Sequence, residues 1–187
     1  MLPPIPDWDS LHPLIIHFPI ALLITSPLLI LAGMILKRQR HGLYVAAFLL
    51  MLIGTLSSFV AISTGEAAGE FADRNETVNM VIEKHEELAE LTRTVFALLT
   101  VMFAAFIFGP KLFRKELSPG LSTVVTLAFL LFYVGGTTIL ANTAHQGGRL
   151  VHELGVRALM QPSVTEIPAK QLSDPASSRI TEFCGKD

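Results

Sequence analysis

"PLIIHFPIALLITSPLLILAGMIL", residues 13 to 36, decides how this chain is read, because it contains no Asp, Glu, Lys or Arg. At a rise of about 1.5 Å per residue, a helix of this length crosses a hydrocarbon core of about 30 Å. A secretory signal would need a basic segment ahead of the apolar run, whereas here Asp7 and Asp9 precede it and the basic cluster follows. The run is therefore read as a membrane span.

Three further runs have the same character: residues 43 to 64 ("LYVAAFLLMLIGTLSSFVAIST"), residues 88 to 109 (ending "VFALLTVMFAAFIFG") and residues 121 to 144 ("LSTVVTLAFLLFYVGGTTILANTA"). The whole chain, 187 residues, is 51% hydrophobic and 16% charged, too apolar for a soluble domain of this size. In lipid every backbone group must be satisfied within the segment, so runs this long read as helices rather than strands. The expectation is an all-α integral membrane four-helix bundle over residues 1 to 160, the last helix extended outside, followed by a polar, flexible tail from 161 to 187. No repeat of 20 to 50 residues is visible.

Charge sets the expected orientation. The first connection carries Lys37, Arg38 and Arg40 and the third carries Lys111, Arg114 and Lys115, while residues 1 to 12 have no Lys or Arg. The positive-inside rule then puts both basic loops in the cytoplasm and both termini outside, in a bacterium the periplasmic face of the inner membrane. Local signals add detail. Pro13 suits the first helical position and leaves His12 as a non-helical flank. Gly109-Pro110 is expected to end the third helix and Pro119-Gly120 to start the fourth. Gly147-Gly148 is expected to break the fourth helix, so that the segment beyond can fold over the bundle mouth. Gly54, Ser57, Ser58 and Gly135-Gly136 are small residues at which helices can approach closely.

Six histidines are the chemically informative residues. His41 belongs to a basic loop. Heights counted from the basic end of each span are about 30 Å for His17, about 35 Å for His85, about 36 Å for His145 and about 33 Å for Glu66. Three imidazoles and a carboxylate thus reach one level from four helices, with His12 and His152 nearby. Ionisable groups at the membrane boundary are costly and usually face the bundle interior, and imidazole is both a common metal ligand and an axial ligand of haem iron. Candidate ligands are His17, His85 and His145, with His12 or His152 completing a pair around b-type haem that would serve electron transfer with a quinone or a periplasmic carrier. Two other readings stay open: a haem-free site for zinc, copper or iron built from His12, His17, His85, His145 and Glu66, and a non-catalytic assembly subunit whose histidines are structural.

Other chemistries find no support. The one cysteine, Cys184, excludes an intramolecular disulfide and a cysteine-cluster metal site, and covalent haem attachment lacks its Cys-x-x-Cys-His motif. A di-iron carboxylate centre wants Glu-x-x-His, which does not occur; "IEKHEELAEL" reads instead as an amphipathic extension of the third helix. There is no nucleophile elbow and no phosphate-binding loop, and the basic residues are taken up by topology rather than by nucleic acid.

"HPLIIHFPIALL" at the start of the first span, Thr64-Gly65 closing the second, "KHEELAELT" opening the third and "GGRLVHELGV" after the fourth resemble the bacterial membrane family known as domain of unknown function 2231, over most of residues 11 to 158. The resemblance implies a four-helix inner-membrane protein with His12, His17 and His85 as its characteristic histidines, and supplies no activity. "HQGGRLVH" is similar to a segment that accompanies cytochrome-like domains in some bacterial relatives, which leans toward haem.

Overall fold

The computed structural model describes residues 8–70, 72, 75–113 and 118–156, and among these every regular element is helical. A 3-10 turn, Trp8–Leu11, leads into α1 (His12–Ile15) and α2 (His17–Ile35), which together form the first span. A second 3-10 turn, Lys37–Gln39, leads into α3 (Arg40–Glu70); α4 (Glu76–Phe113) and α5 (Pro119–His152) follow. Four helices are long and apolar enough to cross a membrane. Their exposed surfaces carry Leu28, Ile35, Leu56, Val101, Leu131 and Phe132, the arrangement expected where the surrounding solvent is lipid. The expected tail from residue 161 lies outside the described residues.

Four boundaries differ from the sequence expectation, and each extends a helix. His12 is the first helical residue rather than a flank: Pro13 lies in the first turn, where no N–H is needed, and Ile16 N–H to His12 O (3.1 Å) and Ile20 N–H to Ile16 O (3.4 Å) carry the helix past Ile16. Rather than closing at Thr64-Gly65, α3 continues to Glu70. Pro110 does not end α4, which runs to Phe113; a proline this near a helix end removes one bond, to the carbonyl of Phe106, and little more. Finally, α5 passes unbroken through Gly147-Gly148 to His152, so no lid folds back. A glycine costs a helix about 1 kcal/mol, less than leaving a backbone group unpaired in apolar surroundings. The chain turns only at Gly155, with φ +66°, where Val156 N–H returns to Leu150 O at 2.9 Å.

The helix starts are capped as their sequences dictate. Asn75 Oδ1 accepts Val78 N–H (2.8 Å) ahead of α4, whose first three turns form the expected amphipathic extension. Ser118 Oγ accepts Leu121 N–H (3.4 Å) ahead of α5, with Pro119 opening the helix.

Packing reveals a repeat that is longer than the period sought in the sequence. The shift that carries His12 onto His85 also carries Pro19, Leu23, Ser26 and Ile30 onto Thr92, Phe96, Leu99 and Phe103, and all eight of these are buried. The shift that carries Ala61 onto Thr143 carries Tyr44, Ala47, Met51, Gly54 and Ser58 onto Thr126, Phe129, Tyr133, Gly136 and Leu140, again all buried. The α2–α3 pair and the α4–α5 pair are thus two copies of one hairpin with the same direction across the membrane, as in transporters built from parallel repeats. Gly54 and Gly136 serve the same end in each copy: a methyl group would lie 2.9 Å from Leu23 Cγ at the first and 3.2 Å from Leu99 Cδ1 at the second, so both let helices approach closely.

Polar contacts tie the two hairpins together: Thr55 of α3 meets Thr100 of α4 at 3.0 Å between hydroxyls, and Tyr133 makes another. Pro27, inside α2, has no N–H to offer the carbonyl of Leu23, four residues earlier. Tyr133 of α5 supplies the missing donor: its hydroxyl reaches Leu23 O at 2.7 Å. The ring is held edge-on against Phe96 (5.3 Å between centroids) and tilted against Phe129 (5.9 Å).

Tyr133→Phe leaves that carbonyl unpaired and is expected to destabilise the bundle by about 1–3 kcal/mol. Pro27→Ala, which restores the backbone donor, should remove most of that penalty in the double variant. A double-mutant cycle from denaturant unfolding in detergent micelles measures it; additive effects of the two substitutions would show that they do not share the Leu23 carbonyl.

Candidate functional site

In each hairpin a histidine of the first helix, His12 at the start of α1 and His85 in the third turn of α4, crosses to the partner helix. His12 Nδ1–H donates to Ala61 O of α3 at 2.9 Å, with Thr64 Oγ1 sharing the proton at 3.3 Å. His85 Nδ1–H donates to Thr143 O of α5 at 2.9 Å. A helical carbonyl is normally covered by the side chain four residues further on, because side chains tilt toward the helix N-terminus. At both sites that residue is glycine. A methyl group on Gly65 would lie 2.8 Å from His12 Cε1, and one on Gly147 would lie 3.1 Å from His85 Cε1. The bare glycine opens the carbonyl, and the imidazole lies flat in the space where a side chain would have been.

The acceptor fixes the tautomer. A carbonyl oxygen can only accept, so the neutral ring carries its proton on Nδ1 and presents the Nε2 lone pair. Both rings border one cavity of about 510 Å³, to which all four spans contribute. Its walls are mainly apolar, with Ile20, Leu23 and Leu140 among them, and Ser58, Thr92 and Thr143 add hydroxyls. Thr92 and Thr143 hydrogen-bond each other at 2.9 Å. Glu66, Glu86 and Glu90 line one side, and His152 lines the cavity beyond Gly148 on α5.

The candidates named from the sequence therefore separate. His12 and His85 come together in the cavity. Glu66 and His152 border it with exposed side chains. His17 and His145 are exposed and do not border it: their height along the helix agrees with the others, but their direction around it does not. His17 lies five residues past His12, and at 3.6 residues per turn that places the two on different faces. The residues that sequence reasoning missed are Gly65 and Gly147 as ring seats and Ala61 and Thr143 as carbonyl donors of lone pairs. Their signal was present as a glycine four residues after each acceptor, repeated in the two halves.

Among the described residues no group of three His, Cys, Asp or Glu is arranged to hold a metal ion. The arrangement offers instead two preorganised imidazole nitrogens, from different helices, at the walls of an apolar space.

The sequence pattern of a family described as "Predicted membrane protein (DUF2231)" matches residues 9–159. No curated protein and no solved structure matches the chain.

Nitrogen NMR of histidine-labelled protein in micelles checks the ring geometry directly. His12 and His85 are expected as Nδ1–H tautomers with slow exchange, and Gly65→Ala should disturb the His12 resonances while leaving those of His85 in place. The reverse holds for Gly147→Ala. Rings that exchange freely between tautomers in the unmodified protein would contradict the hydrogen bonds described.

Proposed function

The chain belongs to the DUF2231 family of predicted membrane proteins, and for this member we propose that His12 and His85 hold one b-type haem between them as a membrane electron carrier. The observation that carries this reading is the duplicated histidine pair: two rings on one cavity, each with its Nδ1–H bonded to a backbone carbonyl, which leaves Nε2 as the free ligand atom. A carbonyl on the far nitrogen is the usual way a metal-binding histidine is oriented and its basicity raised.

Ligand counting favours haem over a bare ion. Zinc in a protein site takes three or four protein ligands, and the described residues bring no third donor into place. Haem iron has four nitrogens from its own macrocycle and asks the protein for two. The cavity volume lies within the range of about 300–1,000 Å³ typical of small-molecule sites, and its apolar walls suit a porphyrin. When bound, such a haem would supply one-electron chemistry, with His12 and His85 as the residues that would hold it. The residues of this chain orient the two rings, exclude water from the apolar floor and fix which nitrogen faces the iron.

The basic connections support the orientation in which the histidine end lies outside and Lys37, Arg38 and Arg40 inside. In a bacterium this puts the cavity at the periplasmic face of the inner membrane, with both termini outside.

Purification in mild detergent followed by absorption spectroscopy tests the proposal. The protein is expected to be red, with a Soret band and sharp visible bands on reduction by dithionite. His12→Ala and His85→Ala should each lose the six-coordinate spectrum, and His17→Ala and His145→Ala should keep it. Gly65→Ala and Gly147→Ala act one step removed from the ligands and should weaken haem retention by roughly 10- to 100-fold. A colourless protein that takes up no added haemin, or a spectrum indifferent to His12 and His85, overturns the assignment.

A further inference from the structure

The two hairpins meet along two seams, α3 with α4 and α2 with α5, which the internal repeat makes equivalent in position. Their chemistry is opposite. Along the cavity, the α3–α4 seam carries Glu66 and Glu86; the corresponding positions of the α2–α5 seam are Gly148 and Pro13. Glu90 borders the cavity on the first seam, and His17, its counterpart, turns outward on the second. The packing differs as well: α3 and α4 touch over a longer stretch than α2 and α5 do. Pro13, Ile16, Ile20, Ala144, Gly148 and Val151 border the cavity from the first span and α5, all apolar or small, with His152 one turn beyond Gly148 at the outer end. Gly148 faces open space, since a methyl group there would meet nothing within 4 Å.

We infer that the α2–α5 seam is an apolar side door through which a quinone dissolved in the bilayer places its head group against the cofactor cavity. The occupant follows from three constraints. A door bordered by apolar side chains and opening between two spans is reached from lipid, so the molecule must carry a long apolar part. No Lys or Arg borders the cavity, so nothing at the door pairs a buried phosphate or fatty-acid head, and a neutral head is favoured. A neutral, flat, redox-active head on an isoprenoid chain meets both conditions and gives the haem a partner; this choice rests on the electron-carrier reading above.

The full chain in detergent micelles, titrated with decylubiquinone by calorimetry, provides the test. Saturable binding to the unmodified protein is expected. Gly148→Phe adds a ring at a position where a methyl group would meet nothing within 4 Å and should weaken quinone binding roughly tenfold or more, about 1.4 kcal/mol. Leu131→Phe, which adds the same ring to the lipid-facing side of α5, should bind as the unmodified protein does. Absence of saturable binding, or a Gly148→Phe variant that binds normally, overturns the door. A colourless protein whose quinone binding is still lost on Gly148→Phe keeps the door and overturns the haem assignment, so the two failures are told apart.

Discussion

An imidazole N–H buried between helices must find an acceptor, and in this protein it finds one that a helix does not usually offer. The carbonyls of Ala61 and Thr143 already belong to the ladders of α3 and α5, and they accept a second bond because the residue four positions on has no side chain. Everything else about the site depends on that geometry. It sets the tautomer, leaves Nε2 of each ring with the free lone pair, and joins α1 to α3 and α4 to α5 beside the shared cavity. A side chain at either glycine would close the carbonyl and move the ring.

The same constraint, that polar backbone groups in apolar surroundings need partners, explains the rest of the bundle. Helices run through Gly65, Gly147-Gly148 and Pro110 because stopping there would strand donors and acceptors. Where a proline does remove a donor inside a span, at Pro27, a tyrosine from the other hairpin replaces it. That tyrosine stands where the first hairpin has Met51, so the repeat was broken at the position that joins its two copies. Departures from symmetry thus carry information: Tyr133 latches the hairpins, Glu66 and Glu86 make one seam acidic, and Gly148 and Pro13 leave the other apolar.

Much of the fold is legible in the sequence. Uncharged runs mark the four spans, and the amphipathic lead into α4 follows from "IEKHEELAEL". Helix ends were less so, since glycine and proline rules are calibrated on helices that can stop in water, and here the helices continue past them. For the site, counting residues gives height but not azimuth. His85 was found by height alone, whereas His17 and His145 share that height and face outward. His12 was treated as a flank because Pro13 follows it, although a helix can begin at the residue before a proline when its own N–H needs no partner. The repeat is faint in the sequence because its two halves agree in which positions are buried far more than in which residues fill them: Ala47 pairs with Phe129, and Met51 with Tyr133.

The central claim is that one iron is shared by two particular rings. Pulsed EPR of the oxidised protein, prepared with nitrogen-15 histidine, counts the imidazole nitrogens bound to a low-spin ferric centre. The account predicts two of them, both lost together with the low-spin signal when His12 and His85 are replaced. A high-spin centre, a single histidine nitrogen, or coupling that survives the double replacement would contradict it.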